Sequence, residues 1–155
     1  MPLQAIIGCG PSGSGKSSYL NNLLLTVRTH HICPDKLRER LCGDESDQSR
    51  NHEVFSAEVP REIAFAHEHS LDIVYDATNT TRKARKAIIA QLKPLGYLVT
   101  AHVFHVPIEE CKRRNAGRAR QVPVEVIMRQ FAQWQEPALE EGLDSIVNVE
   151  YIPAP

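Results

Sequence analysis

The feature that most constrains this chain is the run Gly10-Pro11-Ser12-Gly13-Ser14-Gly15-Lys16-Ser17, which fits G-x-x-x-x-G-K-[ST], the P-loop pattern. The pattern has physical meaning only between a strand and a helix. Leu3, Ala5, Ile6 and Ile7 make a short apolar run before it, suited to a buried strand over residues 3–8. Tyr19, Leu20, Leu23, Leu24 and Val27 follow at helical spacing, so a helix is predicted over 16–27. In that setting glycines let backbone N–H groups converge on phosphate oxygens without Cβ clashes. The N-terminus of the following helix adds partial positive charge. Lys16 then reaches the β- and γ-phosphates, and the Ser17 hydroxyl serves a Mg²⁺ ion. The ligand this predicts is a nucleoside triphosphate, with ATP and Mg²⁺ as the expected pair.

With 155 residues the chain is long enough for one domain with a real core, and a single domain over 1–155 is predicted. The formal net charge is −1, so no global basic field advertises nucleic acid, although a local patch would suffice. No run of about 18 apolar residues is present to cross a membrane. The first strand begins almost at once, which leaves no room for a signal peptide, and a cytoplasmic location is expected. Cys9, Cys33, Cys42 and Cys111 include no C-x-x-C pair, so neither a zinc site nor a disulfide framework is expected.

Further along, Thr29–Cys33 suits a second strand ended by Pro34, and 35–41 a short helix. Gly43–Asn51 is polar and predicted to be a loop. A helix over about 52–68 contains Pro60, so it either kinks or starts there. Leu71, Ile73, Val74 and Tyr75 make a β-rich run ending in Asp76. A helix over 81–92 sets Ala84, Ala87, Ile88 and Leu92 against Arg82, Lys83, Arg85 and Lys86. A strand over 97–106 follows, then a helix from Pro107 to about Asn115. A helix from Pro123 carries Val124, Ile127, Met128, Phe131 and Trp134, and a last strand lies over 146–152. Alternating strands and helices predict an α/β layered domain with a mainly parallel sheet of about five strands. Its phosphate site belongs at the carboxyl ends of those strands.

A P-loop does not by itself separate an ATPase, a GTPase and a kinase. No N-K-x-D guanine reader is present. Transfer to an acceptor hydroxyl needs a carboxylate near that hydroxyl and cations for the phosphate in flight. Asp35 follows the second strand, with Arg38 one turn later on the same helix face. Together they suit a hydroxyl and a neighbouring phosphate, or simply a helix N-terminal Asp with a solvated Arg. Asp76 ends an apolar strand, as a carboxylate serving Mg²⁺ does. Asn79, Thr80 and Thr81 after it suit acceptor contacts or a helix cap. Lys112, Arg113, Arg114, Arg118 and Arg120 put five basic residues in nine positions, around a stretch bracketed by Gly117 and Pro123. Such a stretch suits a lid, here placed around 112–122, that closes arginines over the γ-phosphate. The seven histidines show no metal-ligand spacing and receive no role.

These residues together resemble the 5′-hydroxyl polynucleotide kinase domain of bacteriophage-type polynucleotide kinases and related small P-loop kinases, over about residues 5–135. The matching pieces are the P-loop from Gly8 to Ser17, Asp35-x-x-Arg38, Asp76-Ala77-Thr78-Asn79, and Val103-Phe104-His105-Val106-Pro107 followed by Arg113-Arg114-Asn115-x-x-Arg118. Val122-Pro123-x-x-Val126 continues the match. The resemblance implies a three-layer sandwich with helices on both faces of the sheet. It implies Asp35 as general base toward a 5′-hydroxyl and Arg38 on the acceptor's phosphate, with Asp76 and Asn79 lining the acceptor side. Arg118 becomes the lid arginine on the transferred phosphate and Arg114 its helper. The implied partner is a nucleic-acid 5′-hydroxyl end, with no obligate protein partner. The chain ends soon after the lid helix, so no phosphatase domain is expected. A small hydroxyl acceptor, or an ATP-binding module with no acceptor, are the rival readings.

Overall fold

The computed structural model describes residues 2–23 and 28–153. Five strands form one sheet: β1 (Gln4–Cys9), β2 (Thr29–Ile32), β3 (Asp72–Tyr75), β4 (Leu98–Phe104) and β5 (Ser145–Val149). Their order is β2-β3-β1-β4-β5, and every neighbouring pair is parallel. Helices cover both faces, giving the expected three layers. They are α1 (Lys16–Leu23), α2 (Pro34–Cys42), α3 (Asn51–Glu53), α4 (Val59–Glu68), α5 (Arg82–Leu92), α6 (Ile108–Ala116) and α7 (Val124–Gln133). Leu24 and Val27, expected on the first helix, lie outside the described residues. No helix among the described residues is long and apolar enough to cross a membrane.

The central strands are apolar on both faces, as a sheet covered on both sides requires. Ile7, Cys9, Ile73, Val99, Ala101 and Val103 are all buried and form one core with Ile63, Ile88, Ile89 and Leu92. The parallel order places β1 between β3 and β4, so the P-loop leaves the middle of the sheet.

Three expectations shift in detail. The helix expected to kink or start at Pro60 starts at Val59 as α4, with Pro60 in its first turn, but a π segment, Val54–Glu58, runs directly into it. The Val59 N–H donates to the Val54 carbonyl five residues back, so the hydrogen-bond ladder is widened just before the proline, which has no N–H to offer. The last strand is Ser145–Val149 rather than 146–152. The largest correction concerns α5. Arg85, grouped with the basic residues against Ala84 and Ala87, is fully buried, while Ala84 and Ala87 are exposed. The inward face is Arg85, Ile88, Ile89 and Leu92, because a carboxylate from a later segment, Glu141, meets the guanidinium.

Candidate active site

The P-loop joins the end of β1 to the start of α1. Gly13 and Gly15 have φ of +83° and +82°, conformations L side chains rarely adopt. A Cβ at Gly13 would lie 2.4 Å from the Cys111 carbonyl oxygen, so α6 packs directly on the loop. Gly8, just upstream, leaves room for the stem of Lys16: a Cβ there would meet Leu20 Cδ1 at 2.8 Å and Lys16 Cδ at 3.0 Å. The Ser14 hydroxyl is buried with no hydrogen-bond partner among the described residues. A glycine cradle around an unsatisfied hydroxyl fits a phosphate.

Lys16, Ser17 and Asp76 form one cluster. Lys16 Nζ lies 3.2 Å from Asp76 Oδ1, and the Ser17 hydroxyl donates to Asp76 Oδ2 at 2.7 Å. Burial pushes the Asp76 carboxyl up, but the Lys16 charge and the bonds from Ser17 and Lys16 outweigh it and hold the group below its ordinary range. No group of three His, Cys, Asp or Glu side chains converges among the described residues. A hydroxyl and one carboxylate beside a phosphate cradle suit Mg²⁺, which takes few protein oxygens and fills its shell with phosphates and water.

Asp35 and Arg38 stand on the same rim. Register pairs Ile32 with Tyr75, and the Asp76 N–H donates to the Ile32 carbonyl at 2.9 Å, so β2 and β3 end together. Asp76 follows one strand and the first turn of α2 the other. Arg38 is ion-paired with Asp35, and donates through Nε to the Glu45 carbonyl at 3.0 Å and through Nη1 to Asn51 Oδ1 at 3.1 Å. Arg38 is mostly covered while Asp35 is 60% exposed, so the carboxylate faces outward from a fixed guanidinium.

The remaining expected residues fall into different places. Arg114 reaches the loop: its Nη1 lies 3.0 Å from where a Gly15 Cβ would stand. It also pairs with Glu110 at 2.9 Å and sits over the Tyr151 ring at 5.8 Å. Arg118 is exposed, and its side chain makes no ion pair or hydrogen bond among the described residues. Asn79 adopts φ 46° and is buried, with Nδ2 donating to the Gly8 carbonyl at 2.8 Å, so its amide braces the strand that feeds the P-loop. Pro11 and Ser12 meet α7: the Ser12 N–H donates to Gln130 Oε1 at 2.8 Å, and Gln130 Nε2 donates to the Ser12 hydroxyl at 3.1 Å. Gly10 packs on Phe104 at the end of β4.

The stretch expected to form a lid is pinched at its base. Asn115, buried at the end of α6, donates to the Val122 carbonyl at 2.7 Å and accepts from the Val122 N–H at 2.9 Å. Within the loop so closed, Arg120 is ion-paired with Asp44 and lies 3.0 Å from Glu45 Oε1. A string of contacts thus runs from the lid through Glu45 to Arg38 and Asp35.

Sequence reasoning gave His31 no role. Its Nε2 is buried without a hydrogen bond among the described residues and lies 3.9 Å from Asp76 Oδ2. Burial pulls its pKa down despite the opposing Asp76 charge. Alternation along β2 would have placed His31 and Cys33 on one face, but nothing in the sequence says that this face meets Asp76. Gln130 and Tyr151 carried no signal at all.

A parallel 2-3-1-4-5 sheet with a P-loop after its central strand and a carboxylate after the adjacent one defines a P-loop kinase-type nucleotide-binding domain. A family model described as AAA domain matches residues 6–138, and the chain belongs to that family. No curated protein matches it in sequence. Among solved structures, a chain of the Pnkp1/Rnl/Hen1 RNA repair complex aligns at TM-score 0.74 and 21% identity, over 85% of this chain and 44% of that one. A gluconokinase from Sinorhizobium meliloti 1021 aligns at TM-score 0.62 and 18% identity, over 94% and 81%. Chaetomium thermophilum Kti12 in complex with ADP-AlF3 aligns at TM-score 0.62 and 14% identity, over 95% and 89%. These likenesses show a shared fold. The chain spans less than half the length of the Pnkp1-complex chains it matches.

Proposed function

We propose that this chain is an ATP-dependent kinase that transfers the γ-phosphate to a 5′-hydroxyl end of a nucleic acid. The observation that carries the reading is the Asp35–Arg38 pair on the same strand-end rim as Lys16, Ser17 and Asp76. A simple ATPase needs no such pair. Asp35 accepts the proton of the attacking hydroxyl, with Arg38 holding it in place and reading the acceptor's first phosphate. Lys16 leaves Asp76 for the β- and γ-phosphates, and the loop N–H groups hold the same oxygens. Ser17 and Asp76 would hold a Mg²⁺ ion, which would supply charge neutralisation at the phosphates. Arg118, uncommitted at the tip of a pinched loop, swings over that group; arginines in this role contribute about 10³-fold or more. The likeness to the RNA repair complex supports an acceptor of this class.

The test is transfer of labelled γ-phosphate to a 5′-hydroxyl oligonucleotide. Asp35→Ala should abolish transfer and leave ATP affinity nearly unchanged; equal loss of both overturns the role given to Asp35.

A small hydroxyl acceptor is the second reading, favoured by one observation. Asp44, Glu45 and Asp47 crowd the loop beside Arg38, and carboxylates there oppose a polyanion. The gluconokinase, with 81% of its length matched, has the same fold. Turnover of small hydroxyl compounds that ignores salt would favour this acceptor, because polyanion binding weakens with salt.

A further inference from the structure

Beside the P-loop, and apart from the Lys16–Ser17–Asp76 cluster, lies a pocket of about 330 Å³. That is the small end of the roughly 300–1,000 Å³ typical of ligand sites. Its walls are flat: Pro11, Phe104, Pro107, Phe131 and Trp134, with the His105 ring and the Gln130 amide between them. Gln130 is the residue bonded twice to Ser12, so one wall of the pocket is fixed to the P-loop.

A carboxylate holds two of the lining side chains. Glu136 accepts from Trp134 Nε1 at 2.8 Å and is paired with His105 Nε2 at 2.6 Å. Both contacts fall on Oε1, which leaves Oε2 without a hydrogen bond among the described residues. The carboxylate fixes the Trp134 and His105 rings edge to face, 6.0 Å apart at 79°. Ring-shaped walls plus one open carboxylate oxygen suit a flat heterocycle that carries an N–H. A sugar, with hydroxyls all round, would leave most of its polar groups unpaired against these walls.

We propose that this pocket binds a nucleobase of the acceptor strand, stacked on the aromatic walls with one N–H donated to Glu136. The base of the ATP is a poorer fit. The pocket adjoins Pro11, at the strand end of the P-loop, whereas the stacked Arg114–Tyr151 pair stands at Gly15, at its helix end. That the base comes from an acceptor strand rests on the kinase reading; that the pocket takes a base does not.

Trp134 is the only tryptophan in the chain, so its fluorescence reports this pocket directly. The experiment titrates a short 5′-hydroxyl oligonucleotide, and an abasic strand of the same length, into the full chain with saturating Mg·ADP present. Saturable quenching by the base-bearing strand is expected, with the abasic strand at least about 10-fold weaker, since stacking one base is worth roughly that much or more. Phe131→Ala and Glu136→Gln should each weaken the quenching by a similar factor and leave ADP affinity unchanged. Absence of quenching, equal quenching by the abasic strand, or its loss when Mg·ADP is added overturns the proposal; the last would make the pocket the donor's. Free nucleosides that match the oligonucleotide in affinity overturn the strand as source. Base-dependent quenching with no phosphate transfer to the strand sinks the kinase reading but not the base site. Transfer without base-dependent quenching sinks the base site alone.

Discussion

Arg85 grips Glu141 with two hydrogen bonds of 2.8 Å, one to each carboxylate oxygen, at a point where both side chains are buried. The third nitrogen of the same guanidinium, Nη1, donates to the Asn79 carbonyl at 2.8 Å, and the Asn79 amide holds the Gly8 carbonyl. A segment near the C-terminus thereby fixes the turn after β3 and, through it, the strand that enters the P-loop. Removing one partner of a buried pair strands a charge, at a cost of about 3–5 kcal/mol. Arg85→Met is therefore expected to lose about that much in urea unfolding, and Arg85→Met with Glu141→Leu to recover most of it. Equal stability of the single and double variants would contradict the pairing.

Gly13 and Gly15 share a positive φ but differ in surroundings. A methyl at Gly13 meets backbone, the Cys111 carbonyl at 2.4 Å, whereas at Gly15 it meets only the end of the Arg114 side chain at 3.0 Å. Both alanine variants carry backbone strain of about 1–3 kcal/mol. Gly13→Ala must also push α6 off the loop, so its midpoint in thermal unfolding should fall further than that of Gly15→Ala. At about 2–4 °C per kcal/mol for a chain of this size, the gap is easily measured.

Asp76 sets a pH dependence of definite sign. Its folded pKa is held below the ordinary carboxylate value, so its contribution to stability is complete above that value and is lost as pH falls through the folded one. Wild type and Asp76→Asn should therefore differ most near neutrality, with the difference shrinking below about pH 4. Calorimetric melting across pH 2–7 checks this; a difference that grows toward acid would reverse the assignment. Asp76→Asn should also bind ATP with affinity insensitive to added Mg²⁺.

The run of strands, the P-loop and the carboxylate after β3 were legible because each rests on local pattern: apolar runs, glycine spacing, a charge at a strand end. Asp35 and Arg38 were legible for the same reason, one turn apart on a short helix. What escaped depends on partners distant in the chain. Arg85 looks like any basic residue of an amphipathic helix until Glu141 arrives, fifty-six positions later, to neutralise it. His31 has no meaning without Asp76 on the neighbouring strand. Gln130 is an ordinary helical glutamine until α7 folds back onto Ser12. The basic stretch suggested a lid, but the pinch of the Asn115 side-chain amide on the Val122 backbone, which closes the loop, is a contact no composition announces.

Arg120 ties the stretch proposed as a lid to the loop after α2, through Asp44 and Glu45. The pairs are on the surface, with Arg120 41% and Asp44 56% exposed, so they add at most about 1 kcal/mol to stability and are screened by salt. Their consequence is positional. While Arg120 holds both carboxylates, the lid lies against the loop that carries Glu45, whose carbonyl positions Arg38. Arg120→Ala should leave the unfolding midpoint within about 3 °C of wild type, yet raise the rate of protease cleavage between Gly117 and Gln121 several-fold at low salt. In 1 M salt, where the screening length is about 3 Å, wild type should be cut nearly as fast as the variant. Equal cleavage at low salt would mean that the Asn115–Val122 pinch alone holds the lid, and that Arg120 is a surface ion pair without a latch role.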